Sequence, residues 1–277
     1  MVDLDWNGMW MEAMNNATWM KGCKNLNVQT ARKRAEQYNK DAFLRETRNN
    51  QVGKVVSKLR ISPGSTIMDI GAGPGTLAIP LSKIARCVTA VEPSIEMIYH
   101  LKKNAQECGI ANICHINKKW EDVMPFEDAN EHDFLIASYS LYMLDIKAAL
   151  LKMVQLASRG ICLFTFVGNP YWDYSEIWPE LYGEEYEIGP DYIYIYNLLN
   201  DMGIYANVDI ENIEHVQHFE NIENATNFWY KNLDVYSEKD ERIIRSYLSE
   251  NLIEECGELL SKHYMKSAMI WWKKDDE

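Results

Sequence analysis

The run Asp69-Ile70-Gly71-Ala72-Gly73-Pro74-Gly75-Thr76 carries the most chemistry in the chain. Glycines at 71, 73 and 75 take away side chains that would hold a ligand off the main chain, and they allow a sharp turn from strand to helix. A ligand can then lie on backbone amides. Glu92 follows at the end of the next apolar run, about 20 residues on, where a carboxylate can accept both hydroxyl hydrogens of a nucleoside ribose. Glycine-rich turns are common in loops, but strand, GxGxG, helix, strand and acid in that order point to an adenosine-type ligand. The third glycine comes one residue too early for the dinucleotide GxGxxG, in which a helix N-terminus meets a pyrophosphate. Pro74 also removes an amide donor, and no Gly-Lys-Ser or Gly-Lys-Thr is present, which excludes a P-loop.

These residues must be brought together by the elements around them. Trp6, Trp10, Ala13, Ala17 and Met20 line one face of a helix over residues 5–21; a second helix is expected from about Thr30 and a third from Thr47 to Leu59, stopped by Ile61-Ser62-Pro63-Gly64. From there the pattern alternates. Strands are predicted at Thr66–Ile70, Cys87–Val91, Ile113–Ile116, Phe134–Ser138 and Ile161–Phe166, with helices at Gly75–Ala85, Ser94–Cys108 and Ile146–Ala157. Right-handed crossovers then give a doubly wound, Rossmann-like α/β sheet, mostly parallel. Gly168–Met202 breaks the rhythm as a helical insertion. A strand at Ala206–Ile210, helices from Ala225 and from Glu238 to Leu260, and an antiparallel strand at Ser267–Trp272 complete the chain.

Composition narrows the function classes. The 277 residues are 47% hydrophobic, enough for a substantial core. The start, MVDLDWNGMW, lacks a basic n-region, and the longest largely apolar run, Ile161–Val167, is far shorter than a membrane span. A soluble, cytoplasmic protein is expected, with no membrane partner. Six scattered cysteines without a CxxC pair read as reduced core thiols. No zinc-finger spacing occurs. His215 and His218 form an HxxH, but in a strand a spacing of three sends them to opposite faces, so no metal is expected.

The net charge of −13 is uneven: between Arg159 and Lys231 there is no Lys or Arg and there are 13 acids, leaving 28 acids against 28 bases elsewhere. Such a surface repels phosphate backbones and attracts cations. Nucleic acid is excluded as an expected partner.

From roughly Tyr38 to Phe166 the chain resembles the class I S-adenosylmethionine-dependent methyltransferases, close to the type 11 group that includes quinone C-methyltransferases. The motif DxGxGxG followed by Val91-Glu92-Pro93-Ser94 carries the resemblance. It implies that the turn from Gly71 through Ala72, Gly73 and Gly75 to Thr76 lines the methionine part of the cofactor, supported by Asp69, with Tyr38 capping that end. It implies that Glu92 holds the ribose, with Pro93, Ser94 and Met97 beside the adenine. The segment after the fourth strand, including Ser138 and Tyr139, would face the reactive methyl. The product would be S-adenosylhomocysteine. One departure stands out: after the third strand, where the family places an adenine-binding acid, this chain has Lys119. Trp120 and Glu121 are the candidates to replace it, by packing on the base and by accepting its N6 hydrogen; Trp120 as a plain core residue stays equally open.

Methyl transfer from a sulfonium is an in-line displacement that needs chiefly placement. A general base is required only if the acceptor must lose a proton, and Tyr139, Tyr142, His215 and His218 are the weak candidates. Tyr171, Trp172, Trp178 and Tyr196, interleaved with acids in the insertion, are candidate substrate residues, and aromatic faces with carboxylates suit a neutral or cationic small molecule or a protein side chain. The alternatives are a regulatory module that binds the cofactor without turnover and an aminopropyltransferase. The expected division is a helical lid (1–60), a cofactor-binding core (61–167), an aromatic acidic cap (168–204) and a C-terminal part completing the sheet (205–277). The chain would act as a monomer or homodimer, the exposed face of the first helix being a surface for the latter.

Overall fold

The computed structural model describes residues 4–23, 47–168, 172–233, 235 and 237–274. Helices α1 (Trp6–Asn16), α2 (Thr18–Cys23) and α3 (Thr47–Leu59) precede the sheet. The helix expected from Thr30 lies outside the described residues. The core then runs β1 (Thr66–Ile70), α4 (Ala78–Ser82), β2 (Cys87–Val91), α5 (Ile95–Glu107), β3 (Ile113–Ile116), β4 (His132–Ser138), α6 (Ile146–Leu156) and β5 (Ala157–Val167). The insertion supplies α7 (Trp172–Tyr182) and α8 (Tyr192–Asp201); β6 (Asn207–Phe219), α9 (Ile222–Leu233), α10 (Glu238–Asn251), β7 (Ile253–Glu255) and β8 (Glu258–Lys273) follow.

Strands β1 to β5 are short apolar runs because both faces of the sheet are covered. Met68, Ile70, Leu135, Ala137, Ile161 and Leu163 meet α1, α6 and α8 on one face. Ile67, Val88, Ala90, Phe134, Ile136, Cys162 and Phe164 form the other core, with α3, α4 and α5. Several helices begin where the sequence supplies a cap: Ser94 accepts from the Met97 N–H, Asp145 from Ala148 and Asp191 from Ile193.

The strand order is β3-β2-β1-β4-β5-β8-β6, with β7 beside β8. Pairings among β1 to β5 are parallel, and β8 runs antiparallel to both β5 and β6. This is the Rossmann-like architecture expected from sequence. The order reverses between β1 and β4, and at such a switch point a crevice opens beyond the carboxyl ends of the strands. The glycine turn lies there.

The C-terminal part departs from expectation. The helix expected to reach Leu260 ends at Asn251, and the strands expected at Ala206–Ile210 and Ser267–Trp272 are far longer. Leu252, Cys256 and Leu259 recur at helical spacing, but Cys256 and Gly257 both take positive φ (54° and 84°) and close a two-residue hairpin between β7 and β8. Only residues 266–273 of β8 pair with β5, while β6 follows β8 from Leu259 to Trp271. The overhanging half of that hairpin carries a second core, in which Phe219, Trp229, Ile244, Leu248 and, from α7, Ile177 are buried together.

Charge also redistributes in three dimensions. Asp209 and Glu211 of the acid-rich stretch pair with Lys58 and Lys54 of α3. Part of the excess charge read along the chain is therefore neutralised within the molecule.

Candidate functional site

Asp69 is the penultimate residue of β1, and the Gly71 and Ala72 N–H groups continue across to β2 by donating to the Val91 carbonyl. The turn is thereby folded over the end of β2, where Glu92 emerges. The carboxylate of Glu92 is nearly buried and grips the turn: the Gly73 N–H donates to Oε2 at 2.9 Å and the Ser94 N–H to Oε1 at 2.8 Å. Each oxygen keeps a lone pair for another donor. Burial raises the Glu92 pKa, while those two backbone donors lower it.

The glycines have different duties. Gly71 has φ 72°, and a Cβ there would run into the side chain of Ser140, just beyond β4. Gly75 has φ 91°, and a Cβ would strike Ile79 and Leu101. At these two positions glycine serves the packing of protein on protein, which corrects the view that all three clear space for a ligand. Ala72 is buried beside them, and α4 starts only at Ala78 because this turn occupies the residues expected to open the helix.

Asp69 sits below the turn, fully enclosed. Its pKa is pushed up to about 7, first by burial and then by the charge of Glu92, against a stabilising N–H from Ala78. Its Oδ2 and the Thr76 Oγ1 are buried without a hydrogen-bond partner among the described residues. Buried polar atoms are normally satisfied, so two unsatisfied ones beside a glycine turn, with a carboxylate that has spare acceptor capacity, fit a polar ligand bearing donors. The positions suit the ribose and methionine ends of an adenosylated amino acid.

Pro93, Ser94 and Met97 follow Glu92, with Ser94 capping α5. Asn117, given no role from sequence, donates from Nδ2 to the carbonyls of Glu92 and Pro93 and holds this loop against the end of β3. A lone polar residue just past a strand end is hard to rank by sequence alone.

Trp120 is a correction. Its ring is closed off in the sheet core, its Nε1–H donates to the Ala149 carbonyl at 3.2 Å, and the Lys152 ammonium lies 5.2 Å from a ring centroid. It packs as a core residue, because α6 offers the indole a buried acceptor. Lys152 also donates to the carbonyls of Trp120, Glu121 and Val123, closing that short 3-10 turn. Glu121 is exposed, as is Lys119.

Ser138 ends β4. Tyr139 follows in the left-handed region (φ 51°), a strained conformation for a tyrosine. Its hydroxyl meets Ser267 Oγ of β8 and accepts from Gln51 Nε2 of α3 at 3.3 Å, while its ring lies 4.6 Å from that of Phe166. Ser140 donates to the Ile70 carbonyl and so binds the post-β4 segment to the glycine turn. Directly beside it is a cavity lined by Trp10, Met14, Trp19, Tyr139, Leu141, Tyr142, Thr165, Phe166 and the loop Ile188–Pro190.

The lining corrects the expected source of the substrate wall. Trp178 stacks on Tyr182 at 4.0 Å and packs against the second core, and Tyr196 is half exposed on α8; neither lines the cavity. They were candidates as aromatics interleaved with acids in the insertion, but α7 packs on the second core carried by the hairpin overhang. Tyr171 and Tyr38 lie outside the described residues, as does the side chain of Trp172, which opens α7. Among the base candidates, Tyr139 and Tyr142 border the cavity. His218 does not: it pairs with Glu258 on the overhang beyond β5. His215 lies in β6, and its side chain is not among those described. No group of three metal-ligating side chains and no helix long and apolar enough to cross a membrane occurs among the described residues.

Comparison with known proteins places this geometry. Residues 67–160 match the family described as "Methyltransferase domain". An uncharacterised protein of Haemophilus influenzae is 27% identical over 235 residues, covering 82% of this chain and 85% of that one. In fold, the chain is similar to the YcgJ protein of Bacillus subtilis (TM-score 0.54, 15% identity, 82% of this chain and 98% of that one). It is similar too to a candidate methyltransferase of Bacillus halodurans (TM-score 0.55, 13% identity, 81% and 99%).

Proposed function

From the premise that this chain carries a methyltransferase domain of the class I, Rossmann-like kind, we propose that it transfers a methyl group from S-adenosylmethionine to a neutral or cationic small molecule. The observation that carries this is the Glu92 carboxylate held against the Gly73 N–H, with an aromatic cavity next to the same turn. The cofactor supplies an activated methyl on a sulfonium. The chain's own residues supply placement. Glu92, fixed by two backbone donors, is an acceptor already oriented for the ribose hydroxyls. Asp69 and Thr76 offer unsatisfied polar atoms at the other side of the turn. Pro93, Ser94 and Met97, with Glu121, are assigned to the adenine end. Tyr139 and Tyr142 stand where the acceptor would be aimed, and Tyr139 is the better held of the two.

Residues 1–60 are assigned as the lid. The Thr18 N–H donates to the Glu187 carbonyl, and the Glu187 N–H donates back to Thr18 Oγ1 at 2.9 Å, clipping the first two helices to the insertion. Work in the cytoplasm belongs to the same proposal, supported by five free thiols among the described residues.

Incubating the protein with methyl-labelled S-adenosylmethionine and a cell extract tests the function. Label recovered in a small molecule supports it. Label in nucleic acid, or no saturable binding of S-adenosylhomocysteine by calorimetry, overturns it.

A further inference from the structure

The two ends of the sheet are guarded very differently. At one end β3 has only 4 residues; at the other β6 has 13 and among the described residues pairs with β8 alone. An unpaired strand edge presents a row of free N–H and C=O groups, which proteins usually blunt by shortness, a bulge, Pro or a projecting Lys. β6 uses none of these. Its register against β8 is unbroken from Asn207 to Phe219, and the run holds no Pro, Gly, Lys or Arg.

Charge does not guard this edge either, because the ionisable side chains described on β6 are engaged by partners in the same molecule. Asp209 meets the Lys58 ammonium at 2.8 Å and accepts from Trp271 Nε1–H at 3.1 Å, and Glu211 pairs with Lys54. Glu214 accepts from the Tyr264 hydroxyl at 3.0 Å, and His218 Nδ1 meets Glu258 at 2.8 Å. Between them Ile210 is 48% exposed, with Val208, Ile213 and Val216 half-buried. What stays open is backbone flanked by aliphatic carbon.

We propose that β6 pairs antiparallel with β6 of a second copy of this chain, making one continuous sheet across a two-fold axis at Ile213. A two-fold perpendicular to the sheet keeps each face on its own side, so only positions of like parity can lie opposite one another. An axis at Ile213 sits at the midpoint of the strand and engages all 13 residues, for roughly a dozen hydrogen bonds between the copies. It sets Ile210 opposite Val216, Asp209 opposite Gln217, Glu211 opposite His215 and Asn212 opposite Glu214, so that no like charges face each other. An axis at Glu211 or at Glu214 would oppose that acid to its own copy. Trp6 and Trp10 of α1, by contrast, already pack on Tyr194 of α8, with ring centroids 6.1 and 6.3 Å away.

Sedimentation of the full chain over a range of concentrations reads the association, and cysteine trapping reads the register. Ile213→Cys, whose thiols would meet on the axis, is expected to give far more disulfide-linked dimer on mild oxidation than wild type, in which Cys108, Cys114 and Cys256 are exposed. Val208→Cys, whose two copies would lie at opposite ends of the paired strands, should give only the wild-type background. Ile213→Lys places two like charges on the axis and should weaken the dimer by about tenfold or more, with S-adenosylhomocysteine affinity unchanged. A chain that stays monomeric up to about 100 μM, a dimer indifferent to Ile213→Lys, or equal trapping of the two cysteine variants overturns the proposal. The trapping comparison decides the register whether or not the lysine variant folds.

Discussion

The glycine turn and the aromatic cavity meet at Ser140, yet they are built on opposite plans. The turn and its acid come from one continuous stretch, Asp69 to Met97, in which buried carboxylates are held by backbone N–H groups. The cavity is assembled from four dispersed segments and is lined largely by rings, two of which, Trp10 and Tyr139, have their polar atoms bonded within the protein. The first is a polar socket in which Asp69 Oδ2 and Thr76 Oγ1 are buried without a hydrogen-bond partner among the described residues. The second is core-like surface left open, close in character to the packing under α1 and α6. Local backbone geometry makes the one, and long-range packing makes the other.

That contrast gives tests in which one region should fail while the other survives. Trp10→Ala strikes the cavity and the core beneath it at once, since Trp10 is almost fully buried. A loss of about 3–5 kcal/mol is expected, read as a lowered Tm, with S-adenosylhomocysteine affinity of the folded protein little changed. An equal loss of cofactor affinity would show that the two regions are one.

Glu92→Ala should do the reverse. Removing two charge-assisted acceptors of about 1.5–3 kcal/mol each is expected to weaken S-adenosylhomocysteine by about 100-fold or more in calorimetry, while the near-ultraviolet circular dichroism of the packed aromatics stays unchanged.

Asp69→Asn sharpens the idea that the socket is polar at the expense of stability. The folded pKa of Asp69 is about 7 against an ordinary 3.8. The folded state therefore binds its proton more firmly than the unfolded chain does, so wild-type stability falls as pH rises from near 3.8 to near 7 and then levels. The variant should lose this slope and melt higher than wild type at about pH 8, with little difference at about pH 4, while binding the cofactor more weakly. A thermal melt across that range checks the sign.

The smallest effect is expected from Lys58→Ala. The Lys58–Asp209 pair is more than a third exposed on both sides, so a cost of about 0.2–1 kcal/mol is expected, lessened by salt, with both regions intact.

The socket was legible in sequence because its information is local. Gly71, Glu92 and Ser94 act on neighbours across one turn and two adjacent strands, and the order of strand, turn, helix and acid states that arrangement directly. The alternation of β1 to β5 was legible for the same reason: a strand covered on both faces is an uninterrupted apolar run. Trp120 was not resolvable, because stacking on a base and packing in a core use the same residue in the same run. Only the Ala149 carbonyl, brought over by α6, distinguishes them. The β6–β8 overhang was missed because a two-residue turn with positive φ interrupts an apolar spacing that by itself reads as helix.

What the chain's sequence determined by itself is a Rossmann-like sheet with an acid-backed glycine turn at its switch point, since glycine conformations, caps and apolar runs are properties of short segments. Tertiary structure alone decided which aromatics line the cavity. Thr18 and Glu187 stand 169 positions apart and still exchange hydrogen bonds between the first helices and the insertion, and no periodicity encodes a contact of that range. Trp10, Trp19, Tyr139 and Phe166 become one wall only because the sheet ends, the first helices and the insertion bury their apolar faces against each other.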